Sequence, residues 1–272
     1  MKSEAKALLK HYIEAWKLIP DGASFFTHSS LLQLVIDEGM PAMLKVPMER
    51  DEKWGWLLMV WWNGVGAAKV LKYNKEALLM ERIASEHPSL TEMVKDGRDD
   101  EASKIICAVA KQLHMQRKQV PQELIPLTEW FKDLWPAAMK YGGVISQCAA
   151  TAEKLLANQQ DIRVLHGDLH HENILHSAKR GWLAIDPKRL IGERTFDFAN
   201  IFCNPTKEIA VDKRRLRQQL KVIASAAQLD ERHLLKWVIA WAGLSASWTL
   251  DEGSDASLAI GVAEIALREL RK

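Results

Sequence analysis

The 272-residue chain is short of the features that mark secreted and membrane proteins. Its three cysteines, Cys107, Cys148 and Cys203, lie far apart with no Cys-x-x-Cys pair. That spacing excludes a disulfide framework and a cysteine zinc site. The uncharged stretch near the C-terminus, residues 237–250, is too short to cross a bilayer. Residues 1–19 lack the apolar core of a secretory signal and mix Lys, Glu and His in an amphipathic helical pattern. A cytoplasmic location with no membrane partner is expected. Charge of one sign is also missing: 37 Lys+Arg face 35 Asp+Glu, a formal net charge of +2. A surface that tracks phosphates needs a basic excess, so nucleic acid is not expected as the main partner. The run Lys213-Arg214-Arg215 with Arg217 reads as a solvated helix face.

What is present is a globular composition, 48% hydrophobic and 26% charged, with enough apolar material for a sizeable core. Two textures divide it. Between about residues 22 and 85 the pattern is short and strand-like. Apolar runs at 31–36 and 42–46 flank the turn-forming segment 37–41 and read as a hairpin. Residues 49–62 look helical and end at Asn63-Gly64; strand-like runs at 67–73 and 76–83 follow, joined near Asn74-Lys75. From about residue 100 the spacing turns helical, over 101–118, 127–158, 206–227 and 231–250. The interval 161–187 is the exception, with short apolar pieces between His- and Gly-rich loops. Trp237, Trp241, Leu244 and Trp248 fall at helical spacing and read as core packing. Lys45, inside an otherwise apolar strand, either snorkels to an edge or has a buried anionic partner.

The chemistry concentrates in His166-Gly167-Asp168-Leu169-His170-His171-Glu172-Asn173, followed thirteen residues after Asn173 by Asp186. The form H-x-D-L-x-x-x-N is that of a kinase catalytic loop. Phosphoryl transfer needs one carboxylate to accept or orient the attacking hydroxyl's proton. It also needs a second carboxylate and an amide oxygen to hold Mg²⁺ on the phosphates. Asp168, Asn173 and Asp186 suit those roles in that order. A metal-dependent hydrolase built on His166, Asp168, His170, His171 and His176 is the competing reading, and a nucleotide-binding pseudoenzyme is a third.

The strings HGDLHHENIL and WLAIDPKRLIGERTFDFANIF resemble the aminoglycoside phosphotransferase superfamily of small-molecule kinases. Within it they are most similar to the streptomycin 6-kinase and hydroxyurea resistance group, where IDP stands in place of the kinase DFG. The resemblance implies an α+β, protein-kinase-like two-lobed fold. A small β-rich nucleotide-binding N-lobe would take residues 1–83 and a larger, mainly helical C-lobe 84–272. It implies ATP and Mg²⁺ as cofactors and transfer of the γ-phosphoryl group to a hydroxyl of a small molecule, such as an aminoglycoside or hydroxyurea.

By the same resemblance Asp168 is the catalytic base, Asn173 and Asp186 are metal ligands, and Lys45 contacts the α- and β-phosphates. Glu52, or else Glu49, would be the ion-pair partner of Lys45. Met80, Glu81 and Ile83 correspond to the adenine-binding linker. The nucleotide loop falls on Thr27-His28-Ser29-Ser30, where Ser29 and Ser30 would have to replace the usual glycines as donors. Asp197 matches a family residue that braces the catalytic loop, and is equally readable as an N-cap. Glu193, Asp251, Glu252 and Asp255 are acids that could face a cationic substrate. No sequence feature specifies an oligomeric state.

Overall fold

The computed structural model describes residues 2–48 and 54–272. Along the chain the first elements are α1 (Lys2–Ala15), β1 (Ile19–Pro20), β2 (Phe25–Phe26), β3 (Ser30–Asp37) and β4 (Met40–Pro47). Next come α2 (Gly55–Trp62), β5 (Val70–Tyr73) and β6 (Leu78–Glu81), then α3 (Leu90–Lys95), α4 (Asp99–Leu113), β7 (Ile125–Pro126) and α5 (Leu127–Trp130). The middle of the chain holds α6 (Leu134–Tyr141), α7 (Gly143–Ala157), β8 (Ile162–Leu165), β9 (Ile174–Ser177), β10 (Gly181–Ala184) and β11 (Leu190–Glu193). A 3-10 helix (Arg194–Cys203) leads to α8 (Lys207–Ala210), α9 (Lys213–Ala227), α10 (Glu231–Asp251) and α11 (Ser257–Leu270). The chain forms two compact units, Met1–His87 with Leu175–Arg189, and Pro88–Ile174 with Leu190–Lys272.

The first unit is built on an antiparallel sheet in the order β1-β3-β4-β6-β5, with β2 also paired to β3. Its centre is the β3–β4 hairpin, in register from Ser30↔Pro47 to Asp37↔Met40. Glu38 and Gly39 make the two-residue turn with φ of +49° and +82°, the paired left-handed conformation whose twist suits a tight hairpin. Leu31 and Val35 of β3 and Leu44 and Val46 of β4 point to one face, where α1 covers them with Ala5, Leu9 and Tyr12 at helical spacing. The helix anticipated over 49–62 is α2 in its described part, and Asn63, left-handed at φ +48°, caps it.

The β9–β10 hairpin joins this unit rather than the helical one, although the sequence expectation divides the chain once, near residue 83. Backbone bonds explain the assignment. Ala68 N–H donates to Ala184 O at 3.0 Å and Ala184 N–H to Gly66 O at 2.9 Å. Arg180 also reaches the Gly64 carbonyl and Glu81.

The second unit is mainly helical around a three-stranded sheet, β7-β11-β8. Its long helix α10 buries Trp237, Trp241 and Leu244. Phe131, Phe196, Trp237 and Trp241 meet edge to face, with ring centroids between 5.4 Å (Phe196–Trp241) and 6.2 Å (Phe131–Trp237). The helical stretch 127–158 is broken at Gly142 and Gly143, both at positive φ. A half-buried Arg215–Asp99 ion pair at 2.7 Å ties α9 to α4.

Candidate active site

In the first unit, alternation along β4 turns Lys45 away from the face of Leu44 and Val46, to a place only 4% exposed. A buried ammonium requires an anion. Asp186, just beyond β10, supplies one, its Oδ1 lying 2.7 Å from Nζ. Pro47, Met59, Leu78 and Pro187 wall the pair. Asp186 is held at φ +59°, a left-handed conformation that few non-glycine residues adopt and that folds retain where an aimed side chain repays the strain. Glu52 and Glu49 lie outside the described residues.

The turn Thr27–Ser30 links β2 to β3. Thr27 N–H donates to Ser30 O at 2.9 Å and Ser30 N–H to Thr27 Oγ1 at 3.1 Å. The Ser29 carbonyl accepts from Met48 N–H at 2.8 Å. Ser30 is buried, and its hydroxyl has no hydrogen-bond partner among the described residues. On β6, Met80 is buried, and Glu81 accepts from Lys69 N–H at 2.6 Å; Ile83 follows, half-buried.

In the second unit the loop 166–173 leaves β8. Asp197, fully buried on the 3-10 helix, accepts from the backbone N–H of His166 at 2.8 Å and of Gly167 at 2.7 Å, and contacts His114 Nε2 at 2.7 Å. Asp168 N–H donates to His166 Nδ1 at 3.3 Å. The loop is thus pinned on both sides of its first turn, and Asp168 stays half-exposed. Its Oδ1 accepts from Asn200 Nδ2 at 2.9 Å. Asn173 spends its Nδ2 on the Asp168 carbonyl at 2.8 Å, so the oxygen is the end of this amide suited to a cation.

The loop histidines do not converge. His170 Nε2 is 3.7 Å from Asp168, while its Nδ1 accepts from Glu172 N–H at 3.3 Å. His171 is buried, with no hydrogen-bond partner for either ring nitrogen among the described residues, and burial pushes its pKa down to about 3, leaving it neutral. Among the described residues no group of three or more His, Cys, Asp or Glu is placed to hold a metal ion. A hydrolase centre would need such a group. A magnesium–phosphate site needs only one or two protein oxygens, and the half-exposed Asp186 of the first unit has one of that kind.

Comparison with known proteins gives the same direction. The profile of the family described as "Aminoglycoside/hydroxyurea antibiotic resistance kinase" matches residues 15–253. The chain belongs to that family. It is 44% identical to the streptomycin 3''-kinase of Klebsiella pneumoniae over 246 residues, 89% of this chain and 92% of that protein. It is 26% identical to the streptomycin 6-kinase of Streptomyces griseus over 288 residues, 97% of this chain and 88% of that protein. Among solved structures, a choline/ethanolamine kinase family protein from Mesorhizobium loti superposes with a TM-score of 0.68 at 14% identity, covering 98% of this chain and 95% of the other. Aminoglycoside phosphotransferase APH(4)-Ia, as a thermostable mutant in ternary complex with ADP and hygromycin B, gives 0.66 at 13% identity, covering 95% and 97%. The α+β fold is therefore protein-kinase-like, and this family member is a small-molecule phosphotransferase.

Within this family member, the acids suggested for a cationic substrate are placed differently from one another. Glu193 is buried and its carboxylate is consumed by the fold. Oε1 accepts from Trp237 Nε1 at 2.9 Å and meets His233 Nε2 at 2.5 Å, while Oε2 accepts from Gln160 N–H at 3.1 Å. A substrate cation cannot reach it, because three inward-facing donors already surround it. Asp251 and Glu252 end α10 in solvent, with Asp251 beside Lys140 and Tyr141, and Asp255 caps Ser257. Asn200 and His114 escaped the sequence reading. The only trace of Asn200 there is one amide in the apolar run Phe196-Asp197-Phe198-Ala199-Asn200-Ile201-Phe202.

Proposed function

We propose that the chain transfers the γ-phosphoryl group of ATP, with Mg²⁺, to a hydroxyl of streptomycin, and that the 3''-hydroxyl is the acceptor. The relative carrying that name shares 44% identity over 89% of this chain, against 26% for the 6-kinase, and supports the choice of hydroxyl. The single observation that carries the chemistry is the Lys45–Asp186 pair at 2.7 Å, a buried cation beside a half-exposed carboxylate. Lys45 offers donors to phosphate oxygens and Asp186 an oxygen to a cation. Asn173, on the loop that bears Asp168, likewise carries a neutral oxygen suited to a cation. When bound, Mg²⁺ supplies charge neutralisation on the phosphates. Asp168 accepts or orients the proton of the acceptor hydroxyl through the carboxylate oxygen that Asn200 does not hold. Ile83, just past the end of β6, offers backbone groups to adenine, with Met80 and Glu81 held between β4 and β5 beside it, and Ser29 offers donors to phosphate, the Ser30 N–H being held by Thr27. Catalysis comes from position and electrostatics, since phosphoryl transfer asks little covalent chemistry of the protein.

The test is ADP release with Mg-ATP against streptomycin, other aminoglycosides and hydroxyurea, with the phosphorylated carbon identified by ³¹P–¹H correlation. Streptomycin should be consumed and carry phosphate on the 3'' oxygen, and EDTA should abolish release. Turnover confined to hydroxyurea, or phosphate on the 6 oxygen, would overturn the assignment.

A further inference from the structure

We infer that Asn200 is a positioning residue for Asp168, and that Trp241 and Asn204 set the direction in which it acts. This rests on the reading of Asp168 as the residue that handles the acceptor's proton. An amide can present either its NH₂ or its oxygen to a carboxylate, and only the NH₂ attracts. Trp241, fixed in the core on α10, carries an indole N–H that can only donate, and it does so to Asn200 Oδ1 at 2.9 Å. Asn204 Nδ2 donates to the same oxygen at 3.0 Å and to the Asn200 backbone carbonyl at 3.0 Å. With its oxygen facing two donors, the amide must turn its Nδ2 toward Asp168, where it meets Oδ1 at 2.9 Å. Asn200 is itself only 8% exposed, on a 3-10 helix whose other residues are almost all buried, so it cannot swing away.

The consequence is a division of labour within one carboxylate. Oδ1 of Asp168 is held by a charged hydrogen bond, roughly twice as strong as a neutral one, and the other oxygen is left for the acceptor hydroxyl. Without Asn200 the half-exposed side chain gains rotameric freedom. His170, whose Nε2 stands 3.7 Å from Oδ1, becomes the nearest alternative partner. Misplacement of a reacting group by about 1 Å costs on the order of 10²-fold in rate. The interaction concerns the acceptor's proton and not the nucleotide, so the loss belongs in kcat.

The experiment compares Asn200→Asp, Asn200→Leu and Trp241→Phe with the parent and with Asp168→Asn, using Mg-ATP and streptomycin. Asn200→Asp keeps the shape and replaces the donor by a second carboxylate facing Asp168, so the attraction becomes a repulsion. It should lower kcat about 100-fold, and Asn200→Leu about 10-fold or more, with KM for ATP unchanged in both. Trp241→Phe should lower kcat in the parent and have no further effect in the Asn200→Leu background, because its action passes through the amide. Parental kcat in Asn200→Asp, equal losses in kcat and ATP affinity, or additive losses in the double variant would overturn the role of Asn200. Full turnover in Asp168→Asn would instead remove the reading of Asp168 on which this rests.

Discussion

A half-exposed carboxylate such as Asp168 would ordinarily rotate, and the tie from Asn200 at 2.9 Å stops it. Asp168→Asn keeps the volume and removes the carboxylate proposed as the base. Its kcat should fall by about 10²–10⁴-fold, while an ATP analogue titrated calorimetrically binds as before; retained turnover would show that the proton goes elsewhere. His171 is the opposite kind of residue. It is buried and neutral, and among the described residues neither ring nitrogen has a hydrogen-bond partner. An unsatisfied buried polar group costs about 1–3 kcal/mol, so His171→Leu should raise stability by about 1 kcal/mol or more at pH 7.5 in urea. A loss of similar size would mean that a buried water already satisfies the ring. At this scale the kinase-type spacing singled out Asp168, Asn173 and Asp186 as candidates, and the apolar strand around it made Lys45 conspicuous. Asn200 was unreadable because its importance lies in an orientation imposed by Trp241, forty-one residues away. Glu193 misled for the complementary reason: nothing local tells that Trp237 and His233 will surround it.

Among the elements, the 3-10 helix Arg194–Cys203 carries most of the second unit's positioning. It presents Asp197 to the loop backbone and Asn200 to Asp168 from adjacent turns. Asp197→Ala would leave the His166 and Gly167 N–H groups and the His114 ring without their acceptor. Buried donors without partners cost about 1–3 kcal/mol each, so the variant should lose about 3 kcal/mol or more and several degrees of melting temperature. Unchanged melting would show that the loop finds other acceptors. A second test lies in α10. Gly243 is the weak point of a helix by propensity, and alanine there is worth about 1 kcal/mol on that ground alone. A Cβ at this position would, however, collide with Cβ of Cys148 on α7. Overpacking costs about 1–3 kcal/mol, so Gly243→Ala should destabilise, and a stabilised variant in thermal unfolding would contradict this packing. The hairpin β3–β4 and the cap at Asn63 were legible because their turn chemistry is local. The strand β11 and helices α3 and α11 were not, since each is short or set by partners distant in sequence. The 127–158 helix was overextended across Gly142 and Gly143.

Over the whole molecule, the change from strand-like to helical texture forecast two units, but not that the segment Leu175–Arg189 returns to the first. That return depends on Ala184 meeting Gly66 and Ala68, contacts between segments more than a hundred residues apart. It also carries Asp186 to Lys45, so this ion pair lies within one unit even though Asp186 follows the loop 166–173 in the chain. The cysteines offer a handle on the other unit. Cys107, Cys148 and Cys203 all belong to it, all are buried, and desolvation pushes each thiol up to about 12. At pH 8 the reactive thiolate is then about one part in ten thousand, some thousandfold less than for a free cysteine. The native protein should therefore resist iodoacetamide at pH 8. Under rising urea all three thiols should become reactive in a single step that coincides with loss of helical circular dichroism. The core shared by α7, α10 and the 3-10 helix predicts that coincidence, because Cys148 and Cys203 cannot be reached without separating those elements. Labelling of Cys107 alone at lower urea, read by peptide mass, would show instead that α4 opens independently of that core.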